Sequence, residues 1–167
     1  MALQLHYAAL AAFAGLMLVA AFEDLRRFII PNALTLSVCA LWPLYFAASP
    51  SLYGGLGALG CALAVFLAGA VCFARGWLGG GDVKLLAAAA LWAGPAGTPS
   101  LLVLTGVLGG MLALFMMMPP GAHFAALARA KLGSDPEPIQ SGLAAPIPYG
   151  IAIAGAALLV TVLPHFR

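Results

Sequence analysis

Asp24 and Asp82 are two of only five acidic residues in a 167-residue chain, and Asp82 lies in the stretch GGGDVK, directly after three glycines and two residues before Lys84. An ionisable side chain at the middle of a membrane span costs on the order of 2.5–3.5 kcal/mol on insertion scales, so such residues are functional candidates by default. Two carboxyls within a few ångströms of each other cannot both ionise and hold one proton between them. That state offers a base and an acid together: the carboxylate activates water while the protonated partner polarises a peptide carbonyl. Gly79, Gly80 and Gly81 would let an extended backbone approach Asp82 and would permit φ values closed to other residues, and exposed backbone there could pair with an unwound substrate as an added strand. Each aspartate also has an ordinary structural use. Asp24 could pair with Arg26 or Arg27, and Asp82 could cap a helix after a glycine turn.

The elements that must position these groups are membrane helices. The chain is 64% hydrophobic and 7% charged, far from the roughly 45–50% apolar and 25% charged composition of soluble domains. Apolar runs at 5–22, 33–48, 56–74, 83–93, 101–118 and 149–163 predict an all-α, polytopic membrane protein of about six transmembrane helices in a single domain spanning 1–167. The first run lacks a basic n-region and is expected to be a retained span. The fourth, eleven residues long, would rise only about 16 Å of a roughly 30 Å core. Either the bilayer thins there or the glycine-rich segment enters the membrane as irregular backbone shielded by protein. The connection GPAGTPS is expected to separate the fourth and fifth helices, Pro43 to kink the second, and the many glycines of the third and fifth to serve close packing. A surface helix is expected at about 122–132, apolar on one face.

Lysine and arginine in short loops mark the cytoplasmic side. Arg26, Arg27, Arg75, Lys84, Arg129 and Lys131 all fall on alternate connections, with Arg167 the exception, so both termini are expected outside the cytoplasm. All five acids, Glu23, Asp24, Asp82, Asp135 and Glu137, share the cytoplasmic face in this arrangement. A net charge of +2 without a basic run gives no footprint for nucleic acid. Cys39, Cys61 and Cys72 form no C-x-x-C pair, and His6, His123 and His165 are scattered, so no metal site or other cofactor is expected.

DLRRFIIPN at 24–32 resembles the segment that begins at the first catalytic aspartate of prepilin peptidases, and GGGDVKLLAA carries the G-x-G-D signature shared with presenilin-type proteases. PIPYGIAIAGA at 146–156 is similar to a third patch of the same family. The resemblance covers essentially the whole chain. It implies a bacterial inner-membrane aspartyl endopeptidase, its active site facing the cytoplasm, that removes the leader of type IV pilin-like precursors, with Asp24 and Asp82 as the catalytic pair. Larger members carry an amino-terminal region with cysteine pairs and methylate the new terminus. The early start of the first helix here is similar to the short, peptidase-only members that serve tight-adherence (Flp) pili, without methyltransferase activity. The expected partners are prepilin or pseudopilin precursors and the lipid bilayer.

Around the pair, Arg26 could steady a carboxylate or meet lipid phosphate, and Lys84 could act on Asp82 by proximity or snorkel to headgroups. Pro31 and Asn32 read as a helix stop and restart, with Asn32 as cap of the second helix, or as substrate contacts. Pro148, Tyr149 and Gly150 could line the cleft, or Tyr149 could anchor at the interface. The alternatives to an enzyme are a small proton-coupled transporter and a noncatalytic membrane subunit of a pilus or secretion assembly. The absence of an inverted repeat and of mid-helix charge disfavours the transporter.

Overall fold

The computed structural model describes residues 2–47, 52–119, 121, 123, 124, 127, 130 and 147–166, all of them helix, turn or irregular backbone. Among the described residues the elements are, in order, α1 (Ala2–Arg27), α2 (Asn32–Ala47), α3 (Leu52–Ala74), α4 (Gly80–Met117) and α5 (Tyr149–Ala157). A π turn (Leu158–Val162) and a 3-10 turn (Leu163–Phe166) prolong α5. Three helices, Leu3–Arg27, Tyr53–Ala74 and Gly80–Met117, are long and apolar enough to cross a bilayer, and Asn32–Ala47 and Tyr149–His165 are shorter apolar helices. Leu18, Leu36, Leu63, Leu67, Val103 and Met111 are exposed, as hydrocarbon-facing side chains must be in a chain whose solvent is lipid. Pro43 lies inside α2, which stays one continuous helix.

The expected loop between a fourth and a fifth helix is replaced by a single residue. Gly94 has φ 63° and ψ −173° inside the 38-residue α4, a conformation that glycine reaches without steric cost. Pro95 then restarts the helix, its fixed φ and missing N–H suiting the first helical position. Thr98 Oγ1 donates to Gly94 O at 2.6 Å and approaches Ala90 O at 3.4 Å, tying the two limbs together.

Contacts along the limbs give their directions. Gly69 of α3 lies against Val83, and Gly57 against Pro95, so the limb 80–93 runs antiparallel to α3. Gly97 lies against Val160 and Gly109 against Tyr149, so the limb 95–117 runs antiparallel to α5. Because Gly150 touches Asp24, the second limb returns to the end of the bundle from which the first departed. Among the described residues, α4 is thus a helical hairpin whose two limbs run in opposite directions. The packing role expected for glycine holds at Gly55, Gly57, Gly69 and Gly109, whereas Gly60, Gly106 and Gly110 have open space at the Cβ position.

The core is built on Leu10, Phe13 and Met17 of α1 with Val38, Leu85, Leu101 and Ile153, all essentially inaccessible. Ala87–Ala90 are buried and small, which lets α4 approach its neighbours closely. Trp92 stacks on Phe13 at 4.4 Å, packs on Tyr45 at 4.9 Å, and donates Nε1–H to Val38 O at 2.9 Å. That ring ties α4 to both α1 and α2.

Candidate active site

Asp24 occupies the last turn of α1 and is buried at 5% exposure. The helix stops at Phe28, whose φ of 51° is left-handed while its N–H donates to Asp24 O at 2.9 Å. That conformation costs a residue with a Cβ about 1–2 kcal/mol, and it turns Ile29, Ile30 and Pro31 under the start of α4. Arg27 pairs with Glu23 at 3.5 Å, not with Asp24. The carboxyl of Asp24 is held instead from α5, because Gly150 N donates to Asp24 Oδ2 at 2.6 Å across 126 residues. A Cβ on Gly150 would sit 2.8 Å from that oxygen and 2.9 Å from Asp24 Cβ. Only a glycine permits this approach.

Asp82 arrives by a different route. α3 ends in a Schellman motif, with Trp77 N donating to Cys72 O and Gly76 N to Phe73 O, each at 2.9 Å, around Gly76 at φ 73°. Gly79 is the N-cap of α4, and Asp82, in the first turn, accepts from the Gly79 N–H, which is one half of a capping box. The glycine triplet is therefore not irregular membrane-dipping backbone. Gly80 and Gly81 already belong to the helix, which starts three residues earlier than the apolar run suggests. None of Gly79, Gly80 and Gly81 uses a positive φ. Their lack of side chains serves the chain's own packing: Gly81 sits on Ile30, Gly80 on the Phe73 ring, and Gly79 on the Asp82 carboxylate.

Asp24, Phe28, Ile29, Ile30, Gly79, Gly80, Gly81 and Asp82 line one cleft of about 240 Å³. The two carboxyls are within electrostatic range of each other. At roughly 30 Å³ per water, the cleft has room for a nucleophilic water and part of a bound residue. Phe28, Ile29 and Ile30 were not singled out as wall residues in the sequence. Their signal was position alone, inside DLRRFIIPN and between the first aspartate and the proline.

The supporting residues divide. Lys84 Nζ donates to Asn32 Oδ1 at 2.9 Å, so Lys84 links α4 to the start of α2 and its recorded partner is not Asp82. Asn32 is the first residue of α2 rather than the residue before it, and its side-chain oxygen receives that lysine. Pro31 provides a carbonyl to Leu34 N at 3.0 Å. Arg26 is half-buried in the last turn of α1, two residues beyond Asp24. Of Pro148, Tyr149 and Gly150, only Gly150 reaches the pair. Pro148 is fully buried and the Tyr149 ring packs against Gly109, so neither lines the cleft. Arg129, Lys131, Asp135, Glu137 and most of the surface helix expected at 122–132 lie outside the described residues. His6 and His165 are not scattered: their ring centres are 4.9 Å apart at the end of the bundle away from Asp24.

The fold and site together are those of a helical chain with apolar helices long enough to cross a membrane and with two carboxyls in one cleft at helix ends. Residues 11–114 match the family model described as the type IV leader peptidase family. The match takes in more than half the chain, and the protein belongs to that family, whose members are leader-peptidase-type membrane proteases of the aspartic kind. No curated protein and no solved structure matches the chain. The match includes both aspartates and ends before α5, so the contact of Gly150 with Asp24 comes from the tertiary structure alone.

Proposed function

We propose that the protein is an aspartyl endopeptidase of the bacterial inner membrane that removes the leader from Flp-type type IV prepilins or pseudopilins at the cytoplasmic face, with Asp24 and Asp82 as the catalytic pair. The observation that carries this reading is the shared cleft, in which carboxyls 58 residues apart in sequence face the same volume, each held by a backbone N–H. The reversal of α4 at Gly94, which makes two limbs of one 38-residue element, supports a six-span topology, and the basic residues at the dyad end support its cytoplasmic orientation.

One proton serves the pair. The ionised carboxyl takes a proton from water as the water oxygen bonds to the scissile carbonyl carbon, and the protonated carboxyl gives its proton to the carbonyl oxygen. The resulting diol collapses: the C–N bond breaks, one hydroxyl proton returns to the pair, and the other carboxyl protonates the departing amine. The pair ends with the single proton it began with. Gly150 N–H and Gly79 N–H hold the two side chains while the proton moves, and so provide the orientation on which such catalysis depends.

The test is leader removal from a co-expressed pilin precursor. Asp24→Asn and Asp82→Asn should each abolish cleavage while the protein still inserts and accumulates. Ordinary cleavage by either variant would rule out the dyad.

A further inference from the structure

We propose that His6 and His165 form a two-imidazole site for a divalent transition-metal ion, Zn²⁺ in the first instance, at the end of the bundle remote from the dyad. His6 lies 18 residues before Asp24 on the same helix, about 27 Å along its axis at 1.5 Å per residue. The chemistry of this site is therefore separate from peptide hydrolysis.

Three observations converge on it. The imidazole centres are 4.9 Å apart. A metal bound at a ring nitrogen at about 2.0–2.1 Å stands roughly 3.2 Å from the ring centre, so two rings sharing one ion at this spacing would subtend about 100° at the metal, close to tetrahedral. His165 Nδ1 is buried with no hydrogen-bond partner among the described residues. An orphaned polar atom of that kind costs free energy unless something occupies it. Tyr45 stacks on His6 at 4.9 Å with ring planes 30° apart, which holds the His6 ring in place without using its nitrogens. Both histidines keep partial exposure, so an ion can enter and leave.

No three His, Cys, Asp or Glu side chains gather anywhere among the described residues. Water or a small anion must therefore complete the coordination sphere, giving an open, exchangeable site. Imidazole pairs of this kind suit Zn²⁺, Cu²⁺ and Ni²⁺ and disfavour Mg²⁺ and Ca²⁺. The ion would tie the start of α1 to the end of α5, which are 159 residues apart.

The full-length protein, purified in detergent without a polyhistidine tag, should bind one Zn²⁺ per chain by calorimetry. Its Tm should rise by about 3 °C at a tenfold excess over the binding midpoint, and EDTA should reverse the rise. His6→Gln and His165→Gln should each abolish both effects, and His123→Gln should leave both unchanged. Leader cleavage should be the same with Zn²⁺ or EDTA, which separates this site from the dyad. No saturable binding by the wild type at millimolar Zn²⁺, or equal binding by His6→Gln and His165→Gln, would overturn the proposal and leave the ring pair as an aromatic contact.

Discussion

Replacing Gly150 with alanine should cripple cleavage without harming the fold. The added Cβ would lie 2.8 Å from Asp24 Oδ2, 2.9 Å from Asp24 Cβ and 3.0 Å from Cγ, whereas ordinary contact begins at 3.4 Å. Turning the carboxyl about its own axis cannot relieve the 2.9 Å clash with Cβ, so α1 and α5 must separate by about 0.5 Å, the shortfall from ordinary contact at 3.4 Å. A misplacement of about 1 Å can cost on the order of 10²-fold, so a loss of about 10- to 100-fold in kcat is expected, or about 1.4–2.7 kcal/mol of barrier. The 2.6 Å hydrogen bond to Asp24 would stretch as well. Elsewhere in a helix the same change is favourable by about 0.4–1 kcal/mol, and Gly155 provides the control. Its Cβ would meet only Leu108 Cδ1, at 3.5 Å, so Gly155→Ala should cleave normally. The assay is initial-rate leader removal in reconstituted vesicles, with kcat and KM separated and membrane accumulation measured in parallel. If Gly150→Ala accumulates normally and keeps kcat within about twofold of wild type, the proposed role of the backbone at 150 in setting the carboxyl position is wrong.

Two further predictions concern the frame. Gly94→Ala places a side chain at φ 63° and should destabilise the protein by about 1–3 kcal/mol, read as earlier unfolding in SDS titration, because the hairpin of α4 turns on that residue. Trp92→Phe removes the 2.9 Å bond to Val38 O while keeping a ring against Phe13 and Tyr45; a loss of about 1–2 kcal/mol is expected, and an unchanged unfolding midpoint would show that stacking alone holds α2 to α4.

Much of the candidate site was legible in the sequence, and the reason is solvent. In a chain this apolar every carboxyl is conspicuous, because lipid penalises it and nothing random would retain it. Asp24 and Asp82 could therefore be picked out by rarity, and helix ends followed from charge, proline and glycine. The α4 hairpin was not legible at its true economy. GPAGTPS reads as a loop by composition, yet one left-handed glycine followed by proline suffices, since the second limb packs on α5 at once and needs no linker. The capping bond from Asp82 to Gly79 was weighed only in its generic form, and the extent of the helix moved with it.

Composition and charge spacing determined by themselves that this is a helical membrane protein in which Asp24 and Asp82 stand out, because burial in lipid acts on each residue independently. Which backbone N–H grips Asp24, what the glycine triplet packs against, and that His6 meets His165 were decided by tertiary structure. These depend on the rotation and depth of helices relative to one another, 126 residues apart for Gly150 and Asp24 and 159 for His6 and His165, and a change of one residue in register, about 100° around a helix axis, would point those groups elsewhere.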